Sequence, residues 1–165
     1  MAIIKLMSVK VVQVFDSWAG ELSPTAFDNF AFPYLKHIAE KLPRRLLELD
    51  RESVPMIVFA KGAWYALEAL CQSDYDVIGL DWLHDAGEAF KVAQRFGKTI
   101  QGNADPGILY GDKETISAEI QNMVTGFNGG KKGWIANLGH GKIHTSRLNR
   151  LPILTMSRSN PFCQS

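Results

Sequence analysis

Five short apolar runs punctuate the chain, and each breaks into small or polar residues at its C-terminal end: Val11-Val-Gln-Val-Phe-Asp-Ser17, Met56-Ile-Val-Phe-Ala-Lys61, Val77-Ile-Gly-Leu-Asp-Trp82, Thr99-Ile-Gln-Gly-Asn-Ala-Asp105 and Gly133-Trp-Ile-Ala-Asn-Leu-Gly-His-Gly141. Their length and their β-branched and aromatic content predict buried strands. Between them the apolar residues recur at helical spacing. Ser23-Pro24 reads as an N-cap followed by proline at the first helical position, and Phe27, Phe30, Ala31, Tyr34, Leu35 and Ile38 follow the i, i+3, i+4, i+7 pattern. Pro33 is expected to kink or split that helix, Pro43 to do the same again, and the polar run from Arg44 to Glu52 to close the unit. Shorter helices are predicted around Trp64 to Cys71, after Asp85 (with Glu88 in capping-box spacing) and after Asp112.

The order β-α-β-α-β-α-β-α-β predicts parallel strands joined by helical crossovers. Polar groups at every strand end suit a (β/α)8 barrel better than an open nucleotide-binding sheet, and neither a G-x-G-x-x-G turn nor a G-x-x-x-x-G-K-[ST] loop occurs. A whole barrel has eight strands and about 250 residues. The expected fold class is therefore α/β, a partial (β/α)8 TIM barrel of five parallel strands alternating with helices. Residues 1–10 and 142–165 show no clean period, and an irregular tail is expected for the second of these segments.

Composition narrows the functional classes. Of 165 residues, 46% are hydrophobic and 21% charged, which is enough apolar surface for a core. The formal net charge is only +1 and no Lys/Arg block exceeds two residues, so no nucleic-acid partner is expected. No apolar run approaches the ~18 residues that span a bilayer, and no membrane partner is expected. Lys5 and Lys10 interrupt any signal-peptide core, which points to the cytosol. The two cysteines, Cys71 and Cys163, form no metal or disulfide pattern.

The candidate chemistry lies at the strand ends. His140, between Gly139 and Gly141, is read as facing a ligand, because the glycines let a ligand approach the backbone. Ser17 has no G-x-S-x-G elbow around it, so a hydrogen-bonding role is favoured over a nucleophilic one. Asp16, Asp81 and Asp105 sit where an aspartate serves as acid, base or cation ligand, or simply caps the next helix, and the pattern leaves both open. Lys61 is equally open between ligand cation and surface residue. Asn103 and Asn137 complete the polar groups that such a rim would present. His84 and His144 lack a third partner for a metal.

Taken together, Phe15-Asp-Ser-Trp-Ala-Gly20, Phe32-Pro-Tyr34, Phe59-Ala-Lys61, Gly79-Leu-Asp-Trp82, Gln101-Gly-Asn-Ala-Asp-Pro106 and Ile135-Ala-Asn-Leu-Gly-His-Gly141 resemble the uroporphyrinogen decarboxylase family, over residues 11–141. The resemblance implies strands four to eight of that family's barrel, with Ser17 and His140 as substrate-binding residues and Asp16, Lys61, Asp81, Asn103 and Asn137 as further lining. It implies the loss of four acetate carboxylates from uroporphyrinogen without metal or organic cofactor, and a cytosolic homodimer in porphyrin and haem biosynthesis. The family's arginine-containing loop after its first strand, the aspartate after its second and the tyrosine after its third have no counterpart here. An incomplete form with little or no turnover is therefore expected. The alternative is a non-catalytic module that pairs with a full-length subunit. A methyl-transfer relative on the same barrel is disfavoured by the lack of a His-x-Cys zinc-ligand motif.

Overall fold

A computed structural model describes residues 9–141; the irregular tail expected over 142–165, with His144 and Cys163, and the segment before residue 9 lie outside the described residues. Five strands are present: β1 (Val12–Asp16), β2 (Met56–Ala60), β3 (Val77–Gly79), β4 (Thr99–Ala104) and β5 (Trp134–Leu138). All adjacent pairs are parallel and the spatial order is β1-β2-β3-β4-β5. Each strand thus lies beside its neighbour in sequence. An open doubly wound sheet reverses its strand order at a switch point, and none occurs here; unreversed winding is how a barrel is built.

The helices α1 (Pro24–Phe30), α2 (Phe32–Glu48), α3 (Leu67–Gln72), α4 (Ala86–Arg95) and α5 (Lys113–Gly126) fill the crossovers. Their starts follow the capping chemistry read from the sequence. The Ser23 hydroxyl accepts from Ala26 N, the Asp85 carboxylate from Glu88 N at 2.8 Å and the Asp112 carboxylate from Thr115 N at 2.8 Å. The Glu88 side chain binds the Lys91 ammonium at 2.7 Å.

One continuous core forms between helices and sheet. Phe27, Leu35 and Ala39, Leu70 and Cys71, Ala89, Phe90 and Ala93, and Met123 and Phe127 pack on Met56, Val58, Ala60, Ile78, Leu80, Ile100 and Ala104. These strand residues alternate with Ile57, Phe59 and Val77, which face the opposite side. In a barrel that opposite side is the interior.

The long amphipathic region departs from expectation in two ways. Pro33 does split it, and the break falls at Ala31 (φ −108°, ψ −54°). The buried row nevertheless runs on across the break at i+4 spacing, through Phe27, half-buried Ala31, Leu35 and Ala39, so the apolar stripe is narrower than the i+3 count suggests. Phe30 and Tyr34 are 71% and 70% exposed, Ile38 is exposed, and the buried stripe of α2 runs through Leu35, Ala39 and Leu46, with Leu42 packed against it. Pro43, by contrast, does not end α2. A proline removes one i to i−4 hydrogen bond, and burial of Leu46 one turn further on holds the helix to Glu48, inside the polar run expected to close the unit.

Tyr75 lies in the same core with no surface exposed, and its hydroxyl donates to the Leu35 carbonyl at 2.9 Å. Burial pushes its phenol up to about 12 and, against the pull of Lys98, the Cys71 thiol up to about 11. Both neutral forms are favoured in the folded chain. Their contribution is complete below the ordinary value of 9.0 for the thiol and 10.0 for the phenol, and is lost as pH rises through the folded values. Tyr75→Phe is expected to cost about 1 kcal/mol in urea unfolding at neutral pH and to flatten the loss of stability above pH 10. Equal alkaline sensitivity in the variant would show that Tyr75 does not contribute to it.

Candidate functional site

Parallel register places one residue from each strand in a layer on the interior side. Phe15 pairs with Phe59, Phe59 with Gly79, Gly79 with Gln101 and Gln101 with Ile135. Above this layer, at the C-terminal ends of the strands, opens a cavity of 440 Å³. Gln13, Phe15, Phe59 and Gln101 form its floor and sides, and Ser17, Asn137, Leu138, Gly139, His140 and Gly141 form its rim. Ser17 and His140, the two residues singled out as substrate-binding, therefore converge on one space from the two outer strands of the sheet, and Asn137 joins them. No hydrogen bond joins Ser17 to His140 among the described residues, so the serine has no base beside it there.

The imidazole of His140 is set by its surroundings. Its ring centroid lies 6.3 Å from that of Phe59 and 6.4 Å from that of Trp82, the latter in an edge-on arrangement. Nδ1 is 3.3 Å from the Gly141 carbonyl. A carbonyl only accepts, so this contact puts the hydrogen on Nδ1 and leaves Nε2 to a ligand.

Asp81 and Asn103 take a different place from the one expected. The Asp81 carboxylate is 2% exposed and does not line this cavity. It accepts from the Gly62 amide, from Leu83 N at 3.0 Å and contacts His84 Nδ1 at 3.1 Å. The Asn103 amide, also buried, donates to the carbonyls of Asp81 and His84 at 3.0 and 2.9 Å. Burial alone would raise the Asp81 carboxyl; the hydrogen bond with His84, the Gly62 and Leu83 amides and the His84 charge outweigh it, and its pKa lies below the ordinary value. Asp81 thus ties the loop behind β3 to the one behind β2, and Asn103 ties the same loop to β4. The buried polar set is complete, and the strand-end position that suggested chemistry is one of support.

The support reaches His140 through Gly139. Gly139 N donates to the Ala104 carbonyl at 2.7 Å, and a Cβ on Gly139 would stand 2.5 Å from Trp82 N and 2.9 Å from Asp81 C. On the opposite side, the Lys61 carbonyl accepts from Gly20 N at 2.7 Å, and a Cβ on Gly20 would stand 2.7 Å from the Gly62 Cα. The loops after β1, β2, β3 and β5 are therefore in direct backbone contact. Asp16 uses its carboxylate for Trp18 N at 3.3 Å, and Lys61 is half-buried beside Trp82.

A second cavity, of 490 Å³, lies between the start of α4 and α5, bordered by Trp82, His84, Asp85, Asn103, Asp105 and Glu119 among others. Asp85 and Asp105 are engaged there as caps, the latter accepting from Gly107 N at 2.7 Å. Among the described residues no group of three His, Cys, Asp or Glu side chains is placed to hold a metal, and no helix is long and apolar enough to cross a membrane.

Sequence reasoning did not pick out Gln13 and Gln101. The available signal was a lone glutamine in the middle of each of two otherwise apolar strands, which marks a strand face turned to a polar space. An aromatic floor beneath a rim of hydroxyl, amide and imidazole suits a large ligand with an apolar body and a polar edge.

An unreversed parallel sheet with helices on one face and polar groups gathered at the strands' C-terminal ends is the architecture of a (β/α)-barrel enzyme, of which the described residues carry four β-α units and a fifth strand. A methyltransferase from Methanosarcina mazei shares it, with a TM-score of 0.69 over 89% of this chain and 41% of that one; at 17% identity the likeness concerns the fold alone. The sequence profile of the family described as Uroporphyrinogen decarboxylase (URO-D) matches residues 3–157. Uroporphyrinogen decarboxylases of Schizosaccharomyces pombe, Danio rerio and Homo sapiens are 53%, 47% and 42% identical to this chain, in each case over 80% of its length. The chain belongs to the uroporphyrinogen decarboxylase family. It spans little more than a third of these relatives, 37%, 35% and 35% of their lengths respectively.

Proposed function

We propose that this chain carries the substrate-holding face of a uroporphyrinogen decarboxylase, and that the cavity beneath His140 takes a carboxylated tetrapyrrole. The observation that carries this reading is the convergence of Ser17, Asn137 and His140 over the Phe15–Phe59 floor. In the whole protein the reaction converts uroporphyrinogen III to coproporphyrinogen III. Each acetate side chain loses CO2 once a proton has been added to the pyrrole ring, which then accepts the electrons of the breaking C–C bond; a proton delivered to the freed methylene makes the methyl group, and release of the proton first added to the ring restores the pyrrole. The residues on this chain bind and orient. The Ser17 hydroxyl and His140 Nε2 hydrogen-bond carboxylates at the macrocycle edge, and the two phenylalanines cover its face and exclude water. The homodimer and the cytosolic location that the resemblance implies belong to the same reading, and sedimentation of the whole protein tests the first.

The test is quenching of tryptophan fluorescence by uroporphyrin, the air-stable octacarboxylate, followed by product analysis with uroporphyrinogen. Saturable quenching with little or no turnover is expected from this chain. Ser17→Ala and His140→Ala should each weaken binding about 5- to 10-fold, the worth of one solvent-accessible hydrogen bond of about 1–1.4 kcal/mol. Absence of saturable quenching by a folded chain would overturn the reading. Binding with unaltered affinity in both variants would move the ligand elsewhere. Binding without any turnover, even beside a full-length subunit, would favour the non-catalytic pairing module.

A further inference from the structure

We infer that Lys61 is a carboxylate-binding cation of this site, held ready at the cavity mouth without a counter-ion of its own. The inference rests on the reading that the cavity takes a carboxylated tetrapyrrole, and deepens it by naming the charge that would select for carboxylates.

Lys61 N donates to the Asp16 carbonyl at 3.0 Å, which continues the β1–β2 ladder one residue past the strand. Alternation along an extended chain therefore sends the Lys61 side chain to the face of Phe59, one step nearer the mouth. Phe59 lines the cavity. The ammonium bears out that direction: Nζ lies 6.0 Å from the centroid of the Trp82 ring, and Trp82 is the ring that meets His140 edge-on. Lys61, Trp82, His140 and Phe59 thus form one run of cation, indole, imidazole and phenyl that leads from beside the cavity over its rim to its floor.

The backbone of Lys61 is fixed on both sides. Its carbonyl accepts from Gly20 N, and the next residue, Gly62, donates to the buried Asp81 carboxylate. The cation is therefore presented from a rigid turn. Five ion pairs occur among the described residues, and none involves Lys61. Asp16, the acidic residue beside it on β1, gives its carboxylate to its own loop.

A half-buried ammonium loses part of its hydration, and the face of an indole replaces only a fraction of it. An incoming carboxylate supplies the remainder through a charge-assisted hydrogen bond. The described residues that line the cavity include no lysine or arginine. Lys61 is consequently the positive charge that this rim offers to an anionic edge, while Ser17, Asn137 and His140 offer neutral hydrogen bonds.

The experiment compares this chain with its Lys61→Met and Lys61→Arg variants in uroporphyrin titrations at low and high salt, read by tryptophan quenching, with urea unfolding as the control for folding. The expected result is binding about ten-fold weaker in Lys61→Met, with a shallower salt dependence, and largely retained in Lys61→Arg. If Lys61→Met does not fold, Lys61→Arg and the salt dependence of the parent chain still decide. Parent binding insensitive to salt, or Lys61→Met binding within two-fold of the parent, would overturn the role of Lys61 while leaving the tetrapyrrole reading intact. No binding by the folded parent chain would overturn both, and the two failures are thereby distinguishable.

Discussion

Replacing Asp81 by alanine is expected to destabilise the chain by about 3–5 kcal/mol and to abolish saturable porphyrin binding. The carboxylate is buried, and its removal leaves the Gly62 and Leu83 amides and the His84 imidazole without their acceptor at once. Water cannot replace it without opening the contact between the loops after β2 and β3. Asp81→Asn retains one acceptor oxygen but turns an amide N–H toward donors, so an intermediate loss is expected. Urea unfolding at neutral pH gives the first number, and an Asp81→Ala chain as stable as the parent would refute the supporting role. Acid supplies a second readout. Because the folded carboxyl titrates below its ordinary 3.8, its contribution is present above that value and is lost as pH falls through the folded value. The Asp81 variants should therefore show a smaller loss of stability below about pH 3.8 than the parent.

Gly139→Ala is expected to weaken porphyrin binding more than ten-fold, at a cost in stability of about 1–3 kcal/mol. The added methyl would fall against Trp82 N and Asp81 C, which are backbone atoms of a loop already tied down by Asp81 and Asn103. Neither side can yield by rotating a side chain, so the turn that carries His140 must move. Its ring then leaves the position between Phe59 and Trp82. A Cβ on Gly141, on the other flank of the histidine, would meet no described residue within 4 Å, and Gly141→Ala is expected to leave the unfolding midpoint unchanged. Near-UV circular dichroism and the urea midpoint of the two variants check the contrast, and equal behaviour would show that Gly139 is not a packing constraint.

The two glycines illustrate what was legible in the chain and what was not. Both flank His140 and both read alike in sequence, as positions where a ligand can approach the backbone. Only the fold brings the β3 loop against one of them. The same holds for the aspartates. Asp16, Asp81 and Asp105 occupy equivalent strand-end positions, yet Asp81 is buried under three donors while Asp16 and Asp105 cap their own loops. Strand-end position says that a side chain can reach the mouth; what meets it there depends on neighbouring loops distant in sequence. The α1–α2 region failed for a more local reason. The buried row of Phe27, Leu35 and Ala39 keeps its i+4 spacing through Ala31, and the adjacent row of Phe30 and Tyr34 faces outward although the i+3 count places it inside.

Local information was sufficient for the rest. Strand existence followed from short β-branched runs, helix starts from Ser23, Asp85 and Asp112, and parallel pairing from the strict alternation of the two element types, because each of these depends on residues within a few positions of one another. The sequence by itself therefore determined the class of fold, the end of the sheet at which the cavity opens, and Ser17 and His140 as residues that line it. Tertiary structure alone decided which polar strand-end groups are spent on holding loops and which remain free for a ligand. That division is set by contacts across the sheet, where burial makes an unpaired charge costly and a filled hydrogen bond permanent, and such contacts leave no mark on the spacing of residues along the chain.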